Sequence, residues 1–413
     1  MTRARHVAVV ARSVFPLHGL GGLERSVYDL IRYLAGAGVR VTLITRPPAR
    51  GNPGLDEPAI TTMVVPYRTF PFAGRRGTTV IDRSTAYPLF GERAGRLAWT
   101  LVRDQQIDIV HGFGASVLGY ARRRGKATAP LVLNPQGLEE FGATDPSRAR
   151  VKRAAYLPLR RAVRTCAHAA DRVIATDRVL EPAVITHLSV DPSRVRVIPN
   201  ALDLPALDRL ASDADGRRVR HEASIKGDEV ILLSVGRLEQ NKGFHVLAAA
   251  LGALGDHATA IAEGKWRWVI LGEGPYHRTL QAAITRAGIS RYTHLAGRVS
   301  EQDLHAWYEA ADLFVHPSLY EGSSLVTLEA MAHRRPVVAT TAGGLPDKVR
   351  PGLNGWLVPP GNASALAAAV SGALGQRDRF AEMGNASRQI VEDEFSWSAA
   401  GAAVLRLYDE LLG

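Results

Sequence analysis

Four short stretches of this chain bring together residue types that can do chemistry. In the first, Gly236-Arg237-Leu238-Glu239-Gln240-Asn241-Lys242-Gly243, two cations stand five residues apart with a glycine at each end. Gly236 lets the backbone approach a ligand closely. Arg237 and Lys242 beside it suit a diphosphate, one as a planar fork and the other as a point charge. The second stretch runs from Glu321 through Gly322, Ser323, Ser324 and Leu325 to Glu329. Ser323 or Ser324 can cap a helix whose first N–H groups and positive dipole end face an anion. Glu329 then lies about one and a half turns in and leans back toward that end, so both carboxylates can meet one ligand. Like charges held close raise a pKa, so the two acids need different tasks. Hydroxyl groups of a sugar or ribose are natural targets for ionised carboxylates.

The third stretch, Ala339 to Asp347, carries the pair Gly343-Gly344. The fourth, Gly19-Leu20-Gly21-Gly22-Leu23-Glu24, has the look of a phosphate-cradling loop but lacks the full G-x-G-x-x-G spacing. His111 closes the apolar run Ile107–Val110, where a catalytic or a structural histidine would both fit. Read alone, the other fragments also fit a solvated loop, a capping acid or a plain turn. None of the 13 histidines falls in a metal-binding spacing such as H-E-x-x-H, so no metal site is expected. Asp213-Ala214-Asp215 sits in a charged stretch and reads as solvated chain.

These stretches need elements to hold them. Short apolar, β-branched runs alternate with longer amphipathic ones along the whole sequence. The first half offers His6–Val10, Val39–Thr45, Ile107–His111, Leu131–Asn134, Arg172–Ala175 and Val195–Pro199. The second offers Val230–Val235, Trp268–Leu271, Thr293–Ala296, Leu313–Val315, Pro336–Thr340 and Gly355–Val358. Between them, Leu23–Gly36 has Val27, Leu30, Ile31 and Leu34 on one helical face. Such alternation predicts parallel sheets covered on both sides. The expected fold is α/β, with two Rossmann-like doubly wound domains facing across a cleft. Residues 1–203 form the first and 225–394 the second. Residues 204–224 are charged, have no strand pattern and are expected to cross between them. Residues 395–413 form a terminal helix expected to pack back on the first domain. Ligands bind beyond the carboxyl ends of such strands, and the glycines and polar residues above all follow apolar runs.

Composition narrows the function. Of 413 residues 46% are hydrophobic and 22% charged, which excludes a disordered or coiled-coil chain. The single cysteine, Cys166, excludes an intramolecular disulfide and any multi-cysteine metal site and suits a reducing compartment. The net charge is +11, but residues 1–200 carry 30 Lys/Arg against 15 Asp/Glu. No acidic residue lies between Asp145 and Asp171, whereas Arg148, Arg150, Lys152, Arg153, Arg160, Arg161 and Arg164 do. Arg122–Arg124 and Lys126 add to this charge, and Pro158 is expected to split the stretch into two short helices. An anionic membrane surface is one partner for this stretch, and a solvated helix face is the other reading. A nucleic-acid binder would have no use for Arg237, Lys242 and Glu329 together. No run reaches the ~18 apolar residues of a membrane span, and the opening MTRARHVAVV reads as a first strand. A cytoplasmic protein is expected, with a peripheral place on the inner membrane surface open to it.

The motifs together resemble those of family 4 glycosyltransferases. ILLSVGRLEQNKGFHVL, VILGEG, THLAGRV, ADLFVHPSLYEGSSLVTLEAMAHRRPVVATTAGGLPDKV and GLNGWLVPPGN follow that family's order, and Glu321 to Glu329 fits its E-x7-E motif. GGLERSVYDLIRYLAGAGVRVTLIT and VRVIPNALDL resemble its first domain and domain junction, while residues 47–105 match little. The resemblance implies the GT-B fold and transfer of a hexosyl unit, with retention, from a UDP- or GDP-linked sugar to a hydroxyl acceptor. The acceptor would be a glycolipid, a polysaccharide or a natural product. It implies that Arg237 and Lys242 bind the donor diphosphate and Glu329 the ribose hydroxyls. Glu321 would lie at the donor sugar with Gly322, Ser323, Ser324 and the Leu325 helix start. Arg298 or Val299 would meet the base, Gly21 and Gly22 the phosphates or acceptor, and His111 the transferred sugar. Many members have an aromatic residue and a glycine where this chain has Ser323 and Ser324. No cofactor is implied beyond the nucleotide sugar, which is a substrate. Another sugar-nucleotide enzyme on this fold, an epimerase or phosphorylase, or a non-catalytic sugar-nucleotide binder is the alternative.

Overall fold

A computed structural model describes residues 5–19, 21–48, 55, 57–69, 78–104, 106–126, 129–136, 138–142, 154–261 and 266–413. The chain divides into two units, residues 1–200 with 397–413, and residues 201–396.

The first unit is built on a seven-stranded parallel sheet in the order β3-β2-β1-β4-β5-β6-β7. Its strands are β1 (His6–Val10), β2 (Arg40–Thr45), β3 (Ile60–Val64), β4 (Ile109–Phe113), β5 (Leu131–Asn134), β6 (Arg172–Ala175) and β7 (Val195–Val197). Strand residues alternate between faces. Ala8, Val10 and Val110 join a core with the helices Thr78–Arg103 and Leu157–Ala169. Helices Gly22–Gly36 and Trp397–Leu412 pack together, and Gly401 approaches the Tyr33 ring so closely that a Cβ there would lie 2.2 Å from it. The helix at Gly22–Gly36 buries Val27, Leu30, Ile31 and Leu34, the four residues of the sequence stripe.

The second unit carries a six-stranded parallel sheet in the order β10-β9-β8-β11-β12-β13. Its strands are β8 (Val230–Val235), β9 (Trp266–Leu271), β10 (Thr293–Gly297), β11 (Leu313–His316), β12 (Val337–Thr340) and β13 (Gly355–Val358). Val230 and Leu232 point into one core and Ile231, Leu233 and Val235 into the other. Both sheets are thus covered on both faces, and near-continuous burial explains why these strands read as plain apolar runs.

Residues 204–224 depart from the expected crossing. They fold as the helices Leu204–Leu207 and Asp213–Glu222, within the second unit. Leu204, Leu207 and Val219 enter its core. Ser212 and Asp215 form a capping box, which puts the aspartates at the helix start and Arg220 in its last turn, as the helix dipole favours. Arg388 holds the segment through Asp208, at 2.6 and 2.8 Å. The charges that suggested solvated chain are caps and ion pairs.

β3 and the helix Thr78–Arg103 lie in the stretch that sequence patterning left blank. β3 is an edge strand with Thr61 and Thr62 exposed, so it carries no apolar run.

Candidate functional site

In each sheet the strand order reverses at one place, between β1 and β4 and between β8 and β11. Ligands of doubly wound sheets bind beyond the carboxyl ends of the strands at such a switch point. In the second unit the loop after β8 is the Gly236–Gly243 stretch and the loop after β11 leads to Glu321. Adjacency of the two strands therefore brings two sequence motifs together.

The loops lock by close backbone approach. Gly243 has φ +68°, and a Cβ there would lie 1.9 Å from the Pro317 carbonyl oxygen. Leu319 N–H donates to the Asn241 carbonyl at 2.8 Å. Gly343, φ +52°, presses on the Glu321 carbonyl in the same way, and Gly344 N–H donates to the Gly322 carbonyl at 3.0 Å. The paired glycines after β12 thus form a wedge behind the Glu321 loop.

Glu321 sits at the centre. Its Oε2 accepts from Lys242 Nζ at 2.7 Å, His316 Nε2 at 2.9 Å and Ser318 Oγ at 3.1 Å. Burial alone would push this carboxyl up. The Lys242 charge and the His316 hydrogen bond outweigh it and hold the group well below the usual carboxylate range. His316 is fully buried, and burial lowers its pKa although Glu321 pulls the other way. A neutral ring must then carry its proton on Nε2 to donate to the carboxylate. Arg237 behaves differently: its side chain is 75% exposed and pairs with Glu239 at 2.8 Å. Of the two expected diphosphate cations, one is anchored in the fold and the other reaches into solvent.

Helix Leu325–Ala332 starts at Ser324, as the sequence suggested, but Ser324 Oγ meets Thr327 Oγ1 at 2.9 Å and caps no backbone N–H. Ser323 Oγ is buried with no hydrogen-bond partner. Glu329, one turn on, accepts from Tyr308 Oη at 3.0 Å. Burial first, and then the Glu329 charge, push the Tyr308 hydroxyl pKa up, so it stays a donor. Arg298 is exposed just beyond β10, and Val299 packs on the core. Gly322 has open space around its Cα.

In the first unit, Gly21 and Gly22 open the helix Gly22–Gly36, and the Glu24 carboxylate folds back over Gly21. An acid of the chain itself thus stands at the helix start. His111 needs correction. β4 runs on to Phe113, so His111 lies mid-strand, not at the strand end. It is 1% exposed, its Nδ1 meets Tyr408 Oη at 2.7 Å, and its ring stacks on Phe113. Burial pulls its pKa down to about 3. It lines a cavity of about 20 Å³ with Ser26, Asn134, Asn200 and Trp397, room for about one water. The geometry is that of a neutral histidine tying the C-terminal helix to the sheet.

Residues 143–153, with Arg148, Arg150, Lys152 and Arg153, lie outside the described residues. Pro158 stands in the first turn of the helix Leu157–Ala169. Arg160 and Arg164 on this helix stack on Phe141, and Arg164 donates to the His187 carbonyl. Arg122 and Arg123 pair with Glu92, and Arg124 with Asp171. Much of the described basic charge is spent inside the unit. Among the described residues, no helix is long and apolar enough to cross a membrane, and no cluster of three His, Cys, Asp or Glu could hold a metal ion.

The sequence places His316-Pro317-Ser318 directly after an apolar run but reads His316 only as shaping the turn before Pro317, and it gives no sign of Tyr308. His316 ends β11, and only the fold brings the Tyr308 helix, Glu301–Ala310, to Glu329.

Comparisons with known proteins bear on the family and the fold. Residues 229–376 match the family model described as glycosyl transferases group 1, and residues 20–205 match that of glycosyltransferase family 4. The chain is 28% identical to the D-inositol 3-phosphate glycosyltransferase of Streptomyces scabiei, over 98% of this chain and 91% of that one. Among solved structures it resembles sucrose-phosphate synthase from Thermosynechococcus elongatus, with a TM-score of 0.77, 23% identity and coverage of 98% and 99%. It also resembles Anabaena HepE in complex with UDP-glucose, with a TM-score of 0.72, 20% identity and coverage of 98% and 100%.

Proposed function

Because this chain belongs to the family 4 glycosyltransferases, GT-B enzymes that move a sugar from a nucleotide-sugar donor, we propose that its second unit binds the donor through Lys242, Arg237, Glu321 and Glu329. One observation carries the assignment: the Lys242–Glu321 contact lies where the second sheet reverses its strand order. Lys242 and the exposed Arg237 take the diphosphate, and the helix starting at Ser324 adds N–H groups and its dipole. Ser323, the residue before that helix start, has its Oγ buried without a partner. Glu329, oriented by Tyr308, receives the ribose hydroxyls, and Arg298 or Val299 borders the base.

The chemistry follows from charge. As the glycosidic bond breaks, the sugar becomes oxocarbenium-like and negative charge grows on the leaving diphosphate. Lys242 and the N–H groups, already in place, stabilise that charge without reorganising. Glu321 accepts three hydrogen bonds on one oxygen and so acts as an anchor for Lys242 beside the sugar, not as a free nucleophile. The leaving phosphate can take the acceptor proton, giving a product of retained configuration. The first unit takes the acceptor hydroxyl, and Gly21 and Gly22 border it; burial and the Tyr408 contact favour a structural part for His111. UDP-glucose bound by the HepE neighbour supports a UDP-linked hexose as donor. The same reading places the enzyme in the cytoplasm, working on envelope glycans, where the positive balance of residues 1–200 suits an anionic membrane surface.

Calorimetric titration with UDP-glucose, GDP-mannose and ADP-glucose tests the reading. One donor should bind, and Lys242→Ala and Glu329→Ala should each weaken it at least tenfold with the fold intact. Unchanged binding in both variants would overturn it.

A further inference from the structure

Three neighbouring strands of the first sheet end on residues that donor binding does not use. Arg12 follows β1, Arg46 follows β2 and Tyr67 follows β3. Both guanidinium groups touch the one tyrosine. Arg46 Cζ lies 5.6 Å from the Tyr67 ring centroid, and Arg12 Nη1 lies 3.5 Å from Tyr67 Oη. Arg12 also stacks on Tyr87 at 4.9 Å, and Tyr87 Oη donates to the carbonyl of Phe113, the last residue of β4, at 2.9 Å. The cluster thus sits at the carboxyl edge, beside the switch point.

Among the described residues no carboxylate pairs with either arginine, and Arg46 Nε is buried without a hydrogen-bond partner. The acids whose fields reach Arg46 have other tasks. Asp82 accepts from Tyr67 Oη at 2.8 Å, and Glu24 covers Gly21 at its own helix start. Burial, and after it the charge of Arg12, pull the Arg46 pKa down. Burying a cation with its donors unspent costs free energy, and perturbed charges of this kind gather where a ligand binds. Two planar forks meeting at one ring call for an anion with several oxygens. A phosphate monoester has three terminal oxygens and up to two charges, enough to bridge both forks. A carboxylate has two oxygens and one charge.

We propose that Arg12 and Arg46 form a subsite for a phosphate monoester carried by the acceptor. This deepens the functional reading above, in which the second unit holds the donor and the first the acceptor.

Inorganic phosphate, titrated into the full-length protein with and without saturating UDP, tests it. Saturable binding should persist when UDP is bound. Arg12→Gln and Arg46→Gln should each weaken phosphate at least tenfold and leave UDP affinity unchanged. Arg46→Lys, which keeps the charge and loses the fork, should weaken phosphate less than Arg46→Gln and serves if that variant does not fold. Four results would each overturn the subsite. They are no saturable phosphate binding, phosphate binding unchanged in all the variants, displacement of phosphate by UDP, and equal binding of acetate. Binding confined to phosphatidylglycerol vesicles would also overturn it, in favour of a lipid phosphodiester. Failure of UDP to bind, with arginine-dependent phosphate binding intact, would strike the donor reading and leave this subsite standing.

Discussion

Lys242 Nζ and Glu321 Oε2 lie 2.7 Å apart although 79 positions separate them in the chain. Their side chains are only 18% and 13% exposed, so the pair is neither a surface ion pair nor a dispensable one. In the proposed donor site a diphosphate would share Lys242 with Glu321, whose carboxylate already holds the cation in place.

Breaking the pair from one side leaves a buried charge. Lys242→Ala should cost about 3 kcal/mol of stability and should lower kcat/KM at least a hundredfold. Lys242→Ala with Glu321→Gln should recover part of the stability and none of the activity. Thermal unfolding and initial rates on the three proteins check this. Glu321 also sets an acid limb. Its folded pKa is held below the ordinary value of 4.5, so its stabilisation is complete above that pH and is lost as pH falls below it. Glu321→Gln should flatten that limb of the Tm profile.

How much of this was legible depended on burial. β5, β6, β8 and β13 appear in the sequence with the boundaries they have in the structure, because a strand covered on both faces is an uninterrupted apolar run. Edge strand β3 was invisible for the opposite reason, with Thr61 and Thr62 facing out. The helix Asp213–Glu222 was hidden too, since it buries Val219 and otherwise shows charge. At the site, sequence showed that Lys242 and Glu321 each follow a strand, and only the sheet order shows that those strands are neighbours. His111 was misplaced by two residues of strand length, enough to move it from an open end to a closed core.

That closed core makes its own prediction. Tyr408→Phe leaves His111 Nδ1 buried without its partner and should cost about 1–3 kcal/mol. If His111 only stabilises, kcat should stay unchanged. The folded pKa of His111 is about 3, below its ordinary 6.5. Its contribution is therefore present above pH 6.5 and lost as pH falls from there toward 3, by up to about 1.4 kcal/mol per pH unit. His111→Asn should flatten this slope in urea unfolding at pH 5 and pH 7.5.

Two glycines one turn of loop apart in space should respond oppositely to alanine. At Gly343 a Cβ would lie 1.9 Å from the Glu321 carbonyl oxygen, and φ is +52°, so Gly343→Ala must displace the Glu321 loop. It should lower Tm and cut activity at least tenfold. Gly322 has nothing within 4 Å of such a Cβ. Gly322→Ala should keep the wild-type Tm, and any loss of rate should appear as a higher KM for the donor. Unfolding curves and donor kinetics for both variants separate a loop held by its wedge from one held by its own sequence.

The last relationship concerns the ribose. Tyr308 Oη donates to Glu329 Oε2 at 3.0 Å, and the tyrosine is fully buried between Phe314 and His333. A hydroxyl so enclosed cannot touch the donor, yet it fixes the rotamer of the acid that would. If Glu329 grips the ribose, the wild-type enzyme should bind UDP at least tenfold more tightly than 2′-deoxy-UDP. Glu329→Ala should bring the two affinities together, because the discriminating acceptor is gone. Tyr308→Phe should fall between, since Glu329 remains but samples other rotamers. Its KM for donor should rise several-fold while kcat changes little, whereas general damage to the fold would lower kcat as well. Equal affinity for the two nucleotides in the wild-type enzyme would remove Glu329 from the ribose and leave Tyr308 a purely structural residue.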